Sequence, residues 1–267
     1  MPKVILTFPN GKHKVLTMSY DDGQAADRKL VEILNKHKIK CTFHLNSGLI
    51  GMGNRIPQEE IAERYQGHEI AAHTVTHPTI ARSPKEQIIE EVFEDRKQLE
   101  KITGYPVRGF SYPNGSYNTL IKEMLPNLGI EYARTVNSTG KFEMPDDFYE
   151  WNPTCHHNHD LMNKAETFVE LFKAQYLYMF YVWGHSYEFD NDDNWELLEE
   201  FCELIGNRED IWYATNIEII DYLHAFRNLK FSAGSQFVYN PSSMSVWLDI
   251  DGDRIIEVEG GSQTSLV

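Results

Sequence analysis

Seven short runs of β-branched and aromatic residues, each with a longer amphipathic stretch after it or nearby, run through residues 1–227, and this alternation constrains the fold more than any other feature. Such a pattern specifies β-α units, in which helices cover a mainly parallel sheet, rather than a sandwich. Strands are expected at 15–20, 40–46, 69–73, 108–113, 130–136, 177–183 and 211–215. Helices are expected at 27–37, 57–65, 118–128, 161–175, 194–205 and 217–226. A further helix is expected from Ser83, with Ser83 as N-cap, Pro84 in the first helical position and Glu86 completing a capping box. Ile88, Val92 and Leu99 form its apolar stripe, and Gly104 is its expected stop.

After residue 227 the pattern changes. Residues 244–258 alternate as a hairpin around Asp251-Gly252, a pair suited to the positive φ angles of a type I′ turn. The expected organisation is therefore a catalytic domain over 1–227 and a small β-hairpin extension over 228–267 packed on it. No internal repeat and no Gly-rich phosphate loop occurs.

The 25 Lys and Arg against 40 Asp and Glu leave a net charge of −15, which disfavours nucleic acid as a partner because phosphates would be repelled. The longest apolar run, 176–184, falls far short of the roughly 20 residues that span a bilayer. The N-terminal stretch lacks a signal-type apolar region, so a cytoplasmic location is expected. Cys41, Cys155 and Cys202 are widely spaced, without a CxxC, and read as buried reduced thiols. The open edge of the terminal hairpin allows a homodimer without requiring one.

Three constellations fall at the carboxyl ends of expected strands, where α/β folds assemble their sites. The first is Ser19-Tyr20-Asp21-Asp22-Gly23. Adjacent carboxylates repel, so a site holding both usually has a cation or proton between them; taken alone, the same residues suit a solvated turn. The second is His73-Thr74-Val75-Thr76-His77, a spacing that lets two imidazoles converge on one ion, although 11 histidines make one such pair unremarkable by itself. The third is Trp183-Gly184-His185. Together they amount to one carboxylate and two histidines for a divalent ion, with a second carboxylate and a separate histidine left over for moving protons in amide hydrolysis.

In order and spelling these motifs resemble the polysaccharide deacetylase family (the NodB-homology carbohydrate esterases) over residues 15 to about 220. The resemblance implies a distorted (β/α)7 barrel, of α/β class, with the β-rich C-terminal extension outside it. It implies that Asp21 is the general base, that Asp22, His73 and His77 hold one divalent ion, zinc foremost with cobalt, nickel or iron as alternatives, and that His185 is the general acid. The Phe110-Ser111-Tyr112-Pro113-Asn114-Gly115 segment corresponds to the third family motif, with the Asn114 N–H as an oxyanion donor. Here Ser111 stands where the family carries the arginine that orients the base, and Arg108 is the nearest substitute in sequence. Asp146, Asp147 and Trp151 stand for the fourth motif, so that Asn114, Arg108 and Trp151 are the expected substrate-side residues. His156, His157 and His159 follow at once and are expected to form a polar loop at the pocket mouth, a second metal site being the alternative. Tyr112, Trp183 and Tyr187 could also offer rings to a sugar.

The implied reaction is removal of an N-acetyl group from an amino sugar or its polymer. A non-sugar amide, such as a cyclic ureide or a small N-acyl metabolite, stays open as the substrate. An iron oxygenase is disfavoured because Asp22 lies far from His73 in sequence, and a non-catalytic carbohydrate-binding protein because it has no use for both Asp21 and His185.

Overall fold

The computed structural model describes residues 2–267. The strands, in chain order, are β1 Val4–Thr7, β2 Lys14–Asp21, β3 Thr42–Leu45, β4 Glu69–Ala72, β5 Gly109–Ser111, β6 Tyr132–Arg134, β7 Cys155–His156, β8 Tyr178–Gly184, β9 Ile211–Tyr213, β10 Lys230–Phe231, β11 Phe237–Tyr239, β12 Val246–Ile250, β13 Arg254–Val258 and β14 Gln263–Ser265. The α-helices are α1 Asp27–Lys36, α2 Gln58–Arg64, α3 Lys85–Thr103, α4 Thr119–Met124, α5 Leu161–Glu170, α6 Tyr187–Asn191, α7 Trp195–Ile205 and α8 Asn216–Arg227.

All seven expected strands form, as β2, β3, β4, β5, β6, β8 and β9, and with β7 they lie parallel in one curled eight-stranded sheet with the order β6-β5-β4-β3-β2-β8-β7, β9 pairing with β2 off that path. Strand β2 is buried along its whole length, as a parallel strand covered on both faces must be. Its carboxyl half pairs with β3 and its amino half with β9, so two neighbours share one edge. The ring closes through Trp151, which bridges Arg134 on β6 just before β7 joins β8. Two-residue β7 is too short to leave an apolar run, which is why periodicity missed it. The result is the distorted barrel that the resemblance implies.

Helices cover the sheet: the expected stripe Ile88, Val92 and Leu99 on α3 is buried, as are Leu30, Val31, Ile33 and Leu34 on α1 and Trp195, Leu198, Phe201, Cys202 and Ile205 on α7. Three local expectations differ, the simplest being that α5 ends at Glu170 and not at 175. Helix α3 starts at Lys85 with Pro84 as N-cap and no side-chain cap, so the Ser83–Glu86 box is not formed, although Gly104 ends the helix in the left-handed region as expected. The reciprocal box sits instead at Thr215 and Glu218, opening α8. The helix expected over 118–128 changes to a 3-10 turn at Leu125–Leu128, where Pro126 lacks an amide hydrogen and its ring crowds the preceding turn.

The last forty residues supply five strands to two three-stranded sheets, β10-β11-β14 and β1-β12-β13, the latter taking β1 from the amino end of the chain. Asp251 and Gly252 both take positive φ, 60° and 80°, as the turn requires. Strand β1 covers one edge of β12, leaving β13 as the edge of that sheet. Val246, Leu248, Ile250 and Val258 share a core with Tyr222 and Leu223 of α8, Met179 and Tyr181 of β8 and Trp151. Among the described residues no helix is long and apolar enough to cross a membrane, and all three cysteines are buried and free.

The amino end of α8 plugs the barrel floor. Glu69 accepts from Tyr132 Oη at 2.7 Å, Thr42 Oγ1 at 2.9 Å and the Ile217 N–H at 2.9 Å. Burial pushes its carboxyl up to about 7 against these donors, and burial does the same to Asp27 and Asp95. Between the unfolded value near 4.5 and about 7, the folded chain keeps a proton on Glu69 that the unfolded chain has released. Stability therefore falls as pH rises through that window. Glu69→Gln is expected to remove one of three such contributions, of the order of 3 kcal/mol. Denaturant midpoints at pH 5 and pH 8 check it: an unchanged difference between the two would show that Glu69 is not the source.

Candidate active site

The carboxyl end of β2 turns sharply. Asp22 lies at φ 77° with its amide on the His44 carbonyl at 2.9 Å. Gly23 follows at φ 60°, where any other residue is strained and its Cβ, 2.8 Å from a Leu45 methyl, would have to push that methyl aside. Next to it the His73–His77 loop leaves β4 with Thr74 at φ 68° and His77 at φ 59°. A β-branched residue in that region is strained, and the surroundings hold it there. From α3, Asp95 accepts the His73 N–H at 2.8 Å and the Ser47 N–H at 2.6 Å, while Glu91 accepts the Thr76 N–H at 2.9 Å. Asn46 donates to the Thr74 carbonyl at 3.1 Å.

Asp22, His73 and His77 each present one ligand atom, all within 4.8 Å of one another. Asp22 Oδ1 lies 4.0 Å from His73 Nε2 and 3.8 Å from His77 Nε2. This oxygen is buried and, among the described residues, has no hydrogen-bond partner. His73 Nδ1 rests on the Ser111 carbonyl at 2.8 Å, which puts the proton on Nδ1 and leaves Nε2 free to ligate. Burial pushes His73 down to about 3 despite the nearby Asp21, so its ring is neutral. The set therefore fits a divalent ion: two free imidazole nitrogens and an orphaned carboxylate oxygen face one point.

Asp21 lies beside this set, its Oδ2 3.7 Å from His73 Nε2. Burial alone would raise its carboxyl, but the Arg134 guanidinium first, then His73 and His44, hold it well below the usual range. Arg134 is fully buried at the end of β6, donates to Asp21 Oδ2, and stacks 4.6 Å over Trp183. His44 Nδ1 lies 3.3 Å from Asp21 Oδ1, and Ser111 Oγ donates to that oxygen at 3.3 Å.

Arg108 is not at this site. It forks onto Asp221 at 2.7 Å through both terminal nitrogens and reaches Glu131 at 3.0 Å, on α8 and just before β6. It begins the turn into β5, whereas the site assembles at the strands' carboxyl ends. The arginine that contacts Asp21 is Arg134. Trp151 is also displaced from its expected role: it is wholly buried in the core against Tyr132 and Tyr181, so no sugar can reach it. Asp147 and Glu150 hold Lys122 on the surface instead of facing the histidines.

The carboxylate beside His185 is Glu188, one helical turn on. His185 Nδ1 is 3.2 Å from Glu188 Oε1, and its amide donates to Oε2 at 3.0 Å. Burial lowers the His185 pKa, but Glu188 with Asp21 and Asp22 outweighs it, and the net shift is upward. Tyr187, partly exposed, stands 5.2 Å from the His185 ring, whereas Tyr112 is buried against Tyr117. Asn114 sits exposed on the turn after β5 at φ 56°, its side chain 3.5 Å from Thr79 Oγ1 beside the His77 loop. His156 ends β7 and His157 follows it, both next to Glu188; His157 is wholly buried, contrary to a polar loop at the mouth.

Known proteins share these features in part. The curated relatives include a chitooligosaccharide deacetylase of Rhizobium leguminosarum bv. phaseoli, 25% identical over 124 residues, which are 46% of this chain and 48% of that one. They also include peptidoglycan-N-acetylmuramic acid deacetylase PdaC of Bacillus subtilis (strain 168), 25% identical over 130 residues, 47% of this chain and 26% of that one. The chain thus spans about half or less of the length of these relatives. Among solved structures, a polysaccharide-deacetylase fold from Mycobacterium smegmatis superposes with a TM-score of 0.63 at 16% identity, covering 85% of this chain and 96% of that one. The Xyl-CE4 domain of a xylanase from the hindgut metagenome of Trinervitermes trinervoides gives 0.57 at 16% identity, covering 80% and 92%. At that identity the likeness is one of fold. The sequence profile described as polysaccharide deacetylase matches residues 9–133, a stretch that holds Asp21, Asp22, His73, His77 and Asn114, and over that stretch the chain is similar to the polysaccharide deacetylase family.

Proposed function

We propose that this protein removes N-acetyl groups from an amino sugar or its oligomers by metal-dependent hydrolysis. The observation that carries this reading is the orphaned Asp22 Oδ1 facing two imidazole nitrogens, with an Arg134-paired carboxylate, Asp21, immediately beside it. Asp22, His73 and His77 would hold the ion. Their donor types suit zinc, cobalt, nickel or iron, and an ion bound there supplies Lewis acidity and a water of lowered pKa.

The remaining residues divide the proton traffic. Asp21, kept ionised by Arg134, accepts the proton of the attacking water as the general base. The main chain at Asn114, on the rim beside the His77 loop, is the donor assigned to the developing oxyanion. His185, whose Nδ1 is engaged by Glu188, offers Nε2 to the departing nitrogen as general acid. Against burial, Glu188 with Asp21 and Asp22 shifts the His185 pKa upward and so favours the protonated form. Tyr187 beside it is the ring best placed to meet a sugar.

Acetate release from N-acetylglucosamine oligomers by the zinc- or cobalt-loaded protein tests this reading. Asp21→Asn and His185→Gln are each expected to lower turnover by roughly 10²- to 10⁴-fold with the ion retained. Loss of the ion in Asp21→Asn, or full activity in His185→Gln, would overturn the division of roles. Cleavage of small non-sugar amides with no acetate from any sugar would move the substrate to that class.

A further inference from the structure

A second convergence of ligand-type atoms lies behind His185, and the proposed reaction leaves it unexplained. His157 is wholly buried, stacked between the rings of Tyr20 at 5.6 Å and Phe189 at 4.2 Å. It lies directly over Gly184, where any Cβ would fall 2.0 Å from its Nδ1, so the barrel wall is shaped to admit this imidazole. Among the described residues neither of its ring nitrogens has a hydrogen-bond partner. An imidazole buried in that condition is costly unless something satisfies it.

What its Nε2 faces is Glu188 Oε2, at 3.3 Å, and His156 Nε2 faces the same oxygen at 3.1 Å. One donor atom from each of His156, His157 and Glu188 falls within 4.8 Å of the others. A tetrahedral site with bonds of about 2.0–2.1 Å has ligand–ligand edges of about 3.3 Å. Two of the three edges therefore already have the length that coordination needs, although the His157 contact is not aligned as a hydrogen bond. Oε2 also accepts the His185 amide at 3.0 Å, and the other oxygen, Glu188 Oε1, meets the His185 ring.

We propose that His156, His157 and Glu188 bind a second divalent cation of the zinc class, separate from the one assigned to Asp22, His73 and His77. Two imidazoles and a carboxylate suit zinc, cobalt or nickel and leave a coordination position to water. Binding at His156 Nε2 moves that ring's proton to Nδ1 and so breaks its long contact with the Asn158 amide, 3.2 Å away. The ion would pin the loop after β7 to the start of α6, and it would share its carboxylate ligand with His185. This inference stands apart from the deacetylation reading, because it concerns different ligands.

The test is zinc stoichiometry of the full-length protein, stripped with a chelator, re-equilibrated by dialysis against zinc and read by elemental analysis. Wild type is expected to bind two ions. His73→Ala is expected to bind one, Glu188→Gln one, and the double variant none. Because His157 is buried and His157→Ala may fail to fold, the partly exposed His156→Asn serves as the second variant, with circular dichroism to verify the fold; it too is expected to bind one. Wild type binding one ion that is lost in His73→Ala and kept in both Glu188→Gln and His156→Asn would overturn the second site while leaving the first. One ion kept in His73→Ala and lost in Glu188→Gln would support the second site and remove the first.

Discussion

His73→Ala is expected to abolish acetate release, by at least about three orders of magnitude given what an activated water contributes, and zinc is expected not to restore it. The expectation follows from how completely this one ring is fixed. Its amide is tied to Asp95 at 2.8 Å and its Nδ1 to the Ser111 carbonyl at 2.8 Å, so Nε2 is aimed before any ion arrives and no other nitrogen can swing into its place. His77 alone would be left opposite Asp22, a two-ligand site. The apoprotein should also be less stable than the loaded one at neutral pH. Burial and the neighbouring Asp21 both disfavour the Asp22 charge, and a bound cation reverses that. Thermal melts with and without a chelator, run beside the activity assay, check both parts. Chelation that leaves wild-type turnover intact would remove the ion from the reaction.

Most of the residues brought together here were legible because they are close in sequence and sit at strand ends. Asp21 and Asp22 are adjacent, His73 and His77 are one turn apart, and the β-α alternation places β2, β4 and β8 so that these motifs meet His185 at the same rim. The arginine was not legible. A charged residue inside a strand that reads as apolar, Ile130-Glu131-Tyr132-Ala133-Arg134-Thr135-Val136, looks like an edge or a strand end, and proximity in sequence to Ser111 favoured Arg108. In the fold β6 is β5's neighbour, so Arg134 stands beside Ser111 at Cα register, which no spacing rule along the chain expresses. Glu188 could have been found, since an acid three residues after His185 at the start of a helix falls on the same face. Trp151 was misjudged because a tryptophan near a motif reads alike whether it lines a pocket or closes a barrel. Its backbone pairing with β6 decides that, and such a single bridge has no hydrophobic period.

Arg134→Met is expected to lower kcat/KM by roughly 10²- to 10⁴-fold, on the scale of losing a working general base, and to cost about 3–5 kcal/mol of stability, because it leaves the buried Asp21 carboxylate without its cation. Stability alone would not identify the role, so the pH profile is the decisive readout. With Arg134 present, Asp21 is held well below the usual carboxylate range; without it, burial is the leading influence and drives the pKa upward. The acidic limb of the kcat/KM profile should therefore move to higher pH, and Arg134→Lys, which restores a charge but not the planar fork, should fall between the two. Arg108→Ala is the informative contrast. Its partners are Asp221 and Glu131, so turnover and the acidic limb should stay as in wild type, with only a modest loss of stability from a half-exposed ion pair. If Arg108→Ala instead shifted the acidic limb and Arg134→Met did not, the base would be oriented from β5's side after all, and the buried Arg134–Asp21 pair would be a structural brace across the barrel mouth.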